Sequence, residues 1–186
     1  MEDSKIIELY FERSEEAIPE TETKYGKFCI NIAKNILGNR EDAEECLNDA
    51  LLVLWNRIPP EVPSVFSAFI GKITRNIALV KYRRKAAKKR GGNEAETVLE
   101  EISEFVSGGD DVEENIEHRE IIAAINEFLA GYPKEKRKIF VSRYWYFMSI
   151  KEISEKTGKT EKAIHNILSR TRKKLKKYIE ERGFEI

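Results

Sequence analysis

The chain has 186 residues, 41% of them hydrophobic and 35% charged, with 33 basic and 33 acidic side chains that cancel. That length suits one compact domain or two small ones. No uncharged stretch approaches the roughly 20 apolar residues of a membrane span, which leads to no expectation of membrane insertion. The start, "MEDSKIIELYFERSEE", has neither a basic opening nor an apolar core, so a secretory leader is not expected. Two cysteines, Cys29 and Cys46, make no disulfide scaffold, and the expected location is cytoplasmic.

The zero net charge hides blocks. Residues 1–80 hold 9 basic and 14 acidic side chains, while "KYRRKAAKKR" (81–90) has 7 basic and none acidic. Residues 93–120 reverse the sign, with 11 acids against Arg119, and 134–186 carry 16 basic and 7 acidic residues. Such asymmetry points to surfaces for a polyanion separated by an acidic segment.

In chain order almost everything reads as helix. In "TKYGKFCINIAKNILGN" (23–39), Tyr25, Phe28, Cys29, Ile32, Ile36 and Leu37 recur at helical spacing before Gly38 and Asn39 supply a stop. "REDAEECLNDALLVLWNRI" (40–58) carries Ala43, Leu47, Ala50, Leu51, Leu54 and Ile58 as its apolar stripe. Its early acids suit the positive end of the helix dipole. "PPEVPS" (59–64) must break the helix. Ser64 is the expected cap of the next one, residues 65–90, with a stripe of Phe66, Phe69, Ile70, Ile73, Ile77 and Val80. Lys72, Arg75, Asn76, Arg83 and Arg84 lie largely away from that stripe.

Residues 91–114 are Gly- and acid-rich with little apolar pattern, and read as a flexible linker with a short helix around Leu99 to Phe105. Helices are then expected over 115–133 and 134–147. Next come "SIKEISEKTG" (149–158), with Ser149 and Glu152 at capping-box spacing, and a long helix from Glu161 to Ile179 capped by Thr160. In the last, Ile164, Leu168, Thr171, Leu175 and Tyr178 mark the buried side. Lys162, Asn166, Ser169 and Lys173 share another side, flanked by His165, Arg170 and Arg172. The expected fold is all-α: two small helical domains, 1–90 and 115–186, joined by the acidic linker 91–114.

A helix, a glycine turn and a second helix with polar and basic faces follow the helix-turn-helix plan. Asn and Arg donors read base edges in the major groove, while Lys neutralises phosphates. Other constellations carry less. Cys29, Cys46, His118 and His165 lack zinc spacing, so no metal site is expected. "GKT" at 158–160 has Ile153 where a phosphate loop needs glycine. "DDVEE" (110–114) reads as a solvated run, and in "RYWYF" (143–147) Tyr144 and Phe147 are expected to pack under the reading helix, with Trp145 partly exposed. No nucleophile–base set is assembled, so no catalytic residue and no cofactor are expected.

Taken in order across the acidic segment, "REDAEECLNDALLVLW", "SVFSAFIGKITRNIALVKYRR" and "YPKEKRKIFVSRYWYFMSIKEISEKTGKTEKAIHNILSRTRKKL" resemble a bacterial RNA polymerase sigma factor of the extracytoplasmic-function group. The resemblance covers about Ile6 to Tyr178. It implies a region 2-like first domain and a region 4-like helix-turn-helix second domain. The helix from Asp42 to Trp55 would bind the clamp helices of the polymerase's largest subunit through Glu44, Glu45, Asn48 and Asp49. The loop from Arg57 to Ser64 would capture an unstacked base of the opened −10 element, with Lys72, Arg75, Asn76, Arg83 and Arg84 on the DNA behind it. The helix capped by Thr160 would enter the major groove of the −35 element with Lys162, His165, Asn166, Ser169, Arg170 and Lys173.

The chain departs from the common pattern in three places. Lys162 to Ile167 replace Gly-Thr-Val-Lys-Ser-Arg, Val80 replaces an Asp, and Phe69 replaces a Trp. The −35 base preference therefore does not carry over. Implied partners are core RNA polymerase and promoter DNA, with an anti-sigma factor common in the group. Two other classes compete: a helix-turn-helix regulator acting without polymerase, and a nucleic-acid-processing enzyme, which would need a metal-dependent activity. The charge blocks add an expectation for the free protein: the acidic linker folds against the basic faces and weakens unassisted DNA binding.

Overall fold

The computed structural model describes residues 1–86, 94–102 and 116–184. Among these the regular elements are all helices: α1 (Asp3–Phe11), α2 (Ala17–Leu37), α3 (Arg40–Arg57), α4 (Phe66–Ala86), α5 (Glu94–Glu101), α6 (Ile116–Gly131), α7 (Lys134–Tyr144), α8 (Ile150–Thr157) and α9 (Glu161–Glu180). They form two compact units, Met1–Ala95 and Glu96–Ile186.

In the first unit α2, α3 and α4 pack pairwise and α1 lies on α2. The break between α2 and α3 has a local chemical cause. Gly38 ends α2 at a φ of 82°, its N–H reaching the Lys34 carbonyl, a left-handed geometry that glycine adopts without penalty. Asn39, expected only as part of that stop, also starts α3: its side chain accepts from the Asp42 N–H at 2.8 Å. α4 begins one residue later than expected. The Val65 carbonyl accepts the Phe69 N–H at 3.1 Å, so Val65 holds the place assigned to Ser64, which lies exposed in a bend.

The core joins Leu47, Leu51 and Leu54 of α3 to Cys29 of α2 and Phe66, Ile70 and Ile73 of α4. Burying each aliphatic or aromatic side chain contributes about 1.5–3 kcal/mol. Two corrections concern this core. Val80, expected in the stripe, is 46% exposed and outside the core, while Thr74 and Ala78 are buried in its stead. Thr74 tolerates burial because its hydroxyl donates to the Ile70 carbonyl at 2.9 Å. The helix α1 was not among the expected elements. It buries Ile6 and Tyr10, with the Tyr10 hydroxyl 3.0 Å from Thr21 Oγ1 and its ring beside Trp55 and Phe66.

In the second unit α9 packs against α6, α7 and α8. Its buried side is Ile164, Leu168, Thr171, Leu175 and Ile179. Tyr178, expected there, is only half-buried and its ring sits 5.4 Å from that of Phe128. Tyr144 and Phe147 are buried and Trp145 is 37% exposed, as the sequence led us to expect. The segment read as a linker is helical over Glu94–Glu101, starting five residues before the short helix anticipated at Leu99, and the boundary between units falls at Ala95. Residues 103–115, including the "DDVEE" run, lie outside the described residues.

Candidate nucleic-acid interface

The second unit builds its reading surface from local signals. Ser149 accepts from the Glu152 N–H, and Glu152 returns a bond from the Ser149 N–H at 2.8 Å, a complete capping box on α8. Gly158 turns the chain at φ 69°. Thr160 Oγ1 then accepts the Ala163 N–H at 3.2 Å and starts α9, so the Thr160 side chain is already used as a cap. With Ile164 and Leu168 anchored inside, Lys162, His165, Asn166, Arg170 and Lys173 are exposed and Ser169 half-buried. The polar side chains thus line the face of α9 turned from its core. This suits base-edge donors at Asn166 and Arg170 and phosphate contacts at Lys162 and Lys173.

Arg172 departs from that face. Its Nη1 lies 3.0 Å from Glu101 Oε2, and it also bonds the Tyr144 hydroxyl. Arg143 joins the same carboxylate, Nη2 to Oε1 at 2.5 Å, and donates to the Met148 carbonyl at 3.0 Å. Tyr144 donates to Glu101 Oε2 at 2.7 Å. Burial works to raise the Glu101 carboxyl, but the bonds from Arg143 and Tyr144 and the two guanidinium charges outweigh it and hold it below its ordinary value. Nothing local in the sequence pairs Glu101 with Arg143, 42 positions away.

In the first unit, Lys72, Asn76, Arg83 and Arg84 are exposed on α4. Arg75 is half-buried. Burial, helped by the Arg83 charge, pushes its guanidinium down to about 10, which leaves it charged at neutral pH. Arg57 pairs with Glu61 at 2.7 Å and lies 5.3 Å from the Phe69 ring centroid. The following loop contains cis Ile58–Pro59 and Pro59–Pro60 bonds and exposes Val62 and Val65.

The acids of α3 are not bare. Glu44 pairs with Arg40 at 2.6 Å, while Glu45 and Asp49 both reach Lys81 Nζ, at 3.1 and 2.7 Å. Asp42 takes Lys85 and the Asn39 amide. These lysines of α4 were not among the expected site residues, and only their four-residue spacing hinted at a shared face. Asn48 stands apart at an apolar groove lined by Ile18, Pro19, Leu51, Leu52 and Trp55. Leu52 is 60% exposed there.

Among the described residues no three His, Cys, Asp or Glu side chains gather to hold a metal ion. Nor is any helix among them long and apolar enough to cross a membrane. Residues 23–88 match the family described as Sigma-70 region 2, and residues 122–175 match that described as Sigma-70, region 4. No curated protein matches the chain.

Proposed function

Because the chain belongs to the extracytoplasmic-function group of the sigma-70 family, we propose that its two units divide promoter recognition between them. It is a sigma factor that binds RNA polymerase and promoter DNA for transcription initiation. In our reading the first unit, up to about residue 90, takes polymerase on α3 through Glu44, Glu45, Asn48 and Asp49. The same unit takes the −10 element on the Arg57–Ser64 loop and on Lys72, Arg75, Asn76, Arg83 and Arg84 of α4. The second unit takes the −35 element with α9. The protein acts in the cytoplasm, opens promoter DNA by binding it, and catalyses nothing itself. An anti-sigma factor is a further partner of a kind common in the group.

The observation that carries this reading is the exposed face of α9, with Lys162, His165, Asn166, Arg170 and Lys173 outward and its opposite side locked in the core. Run-off transcription with purified bacterial core polymerase tests it, using a genomic fragment pool as template. Protein-dependent transcripts from defined starts are expected. A polymerase-free footprint on duplex DNA without any transcript would replace the reading with an independent regulator.

A further inference from the structure

Arg143 is 1% exposed, the largest fully buried side chain among the described residues. A guanidinium so placed has lost its water and needs an anion in reach. The anion is Glu101, itself 20% exposed, which also receives Tyr144 and Arg172. Two guanidinium groups and a phenol converging on one pair of oxygens form a strong anion site. The same donors match the oxygens of a phosphate as well as those of a carboxylate.

The two arginines differ in freedom. Arg143 is enclosed and also bonded to the Met148 carbonyl. Arg172 is 28% exposed and stands on α9 beside Lys173, at the margin between the buried side and the outward face. Glu101 lies within the acidic block of residues 93–120, so the chain supplies its own polyanion at this place.

We infer that Glu101 occupies, in cis, the position a DNA phosphate would take on the reading helix, and withholds Arg172 from duplex DNA in the polymerase-free protein. This rests on the proposed reading that α9 engages the −35 element. It narrows the expected folding of the acidic segment against the basic faces to one carboxylate and one guanidinium. Removing the Glu101 charge returns one cation to the DNA-binding face. Each phosphate neutralised on B-DNA steepens the fall of log K with log[salt] by about 0.9.

The test uses the full chain and a duplex carrying a −35 element found by run-off, with affinity read by fluorescence anisotropy between 50 and 200 mM salt, a span over which phosphate contacts are resolved at roughly one per unit slope. Glu101→Gln keeps one acceptor oxygen, which can still take the Arg143 guanidinium, while an amide NH2 replaces the oxygen that Tyr144 and Arg172 shared and the charge is lost. It is expected to bind several-fold more tightly at low salt, with a slope steeper by about one. Arg172→Gln in that background is expected to cancel the gain. Arg172→Gln alone, which leaves the Glu101–Arg143 pair intact and so does not depend on the first variant folding, is expected to leave the wild-type slope unchanged. A slope shallower by about one in Arg172→Gln alone would overturn the inference, because Arg172 would then already lie on DNA. So would an unchanged slope in a folded Glu101→Gln protein. If Lys162→Gln and Lys173→Gln also leave duplex binding unaltered, the assignment of α9 as reader is what has failed, and the inference falls with it.

Discussion

Lys81 Nζ lies 2.7 Å from Asp49 Oδ2, so an acid of α3 assigned to polymerase is already paired with a cation of its own unit. The lysine is 19% exposed and the aspartate 45%. Burial acts to lower the Lys81 pKa, but the bonds to Asp49 and Glu45 outweigh it, and the net direction is upward. On the proposed reading residue 49 has two separable roles, stitching α3 to α4 and facing polymerase.

A charge swap separates them. Asp49→Lys alone sets two cations face to face and is expected to weaken both stability and polymerase binding. Adding Lys81→Asp restores the pair with its sign reversed. With the Asp49 end of the pair 45% exposed to water, it is worth on the order of 1 kcal/mol, so the swap should melt within about that margin of wild type. Polymerase affinity, measured by pull-down or anisotropy, should stay as low as in the single variant. Recovery of binding in the swap would mean that Asp49 serves polymerase only by holding α4.

The turn before α9 gives a second expectation. Gly158 has φ 69° and no heavy atom within 4 Å of where a Cβ would stand, so a side chain there meets only backbone strain. Gly158→Ala is expected to cost the second unit about 1–2 kcal/mol, the left-handed penalty of a residue with Cβ. Gly158→Asn should cost less, since asparagine tolerates that conformation. Chemical denaturation followed by helix content checks both. Equal losses would place the cost in packing.

Where signals are local, the sequence was sufficient. Ser149, Glu152, Gly158 and Thr160 fix α8, the turn and the start of α9 within twelve residues, and the stripe Ala43, Leu47, Ala50, Leu51, Leu54, Ile58 is buried as its spacing demands. Where burial depends on a distant partner, it was not. Hydrophobicity ranks Val80 above Thr74, but the Ile70 carbonyl satisfies the threonine hydroxyl and Thr74 goes inside. Tyr10 gives α1 its place only through Thr21, Trp55 and Phe66. Arg143 reads as one more base in a basic segment until Glu101 is seen against it. The candidate site divides the same way: the face of α9 follows from its heptad-like spacing, whereas the four-residue spacing of Lys81 and Lys85 hints at a shared face but not at the α3 acids they meet.

On α9 the kinds of contact should separate by substitution. Asn166→Ala and Arg170→Ala remove donors suited to base edges, each worth about 1–3 kcal/mol of discrimination where the contact is bidentate. They are expected to impair use of the −35 element selectively. Lys162→Gln and Lys173→Gln should weaken binding to all duplexes alike and make the salt slope shallower by about one each. None of the four lies on α3, so polymerase affinity should be unchanged. A loss of core binding in Asn166→Ala would refute the division of labour between the units.

The Glu101 cluster predicts how the second unit responds to acid. Its carboxyl is held below its ordinary value of 4.5, so the folded state binds that proton less readily than the unfolded chain. The sign follows: this contribution is fully present above about 4.5 and is lost as pH falls through the lower, folded-state value. Protonation leaves Arg143 buried without its charged partner. Breaking such a pair costs about 3–5 kcal/mol when both groups are enclosed, and less here because Glu101 keeps some contact with water. Melting of the second unit, followed by helix signal from neutral pH down to about 3, should therefore fall more steeply in wild type than in Glu101→Gln, whose neutral side chain carries no such linkage. Glu101→Gln should start lower at neutral pH and converge with wild type in acid. Parallel pH profiles would show that Arg143 draws its stability from the Met148 carbonyl and its packing, and not from the Glu101 charge.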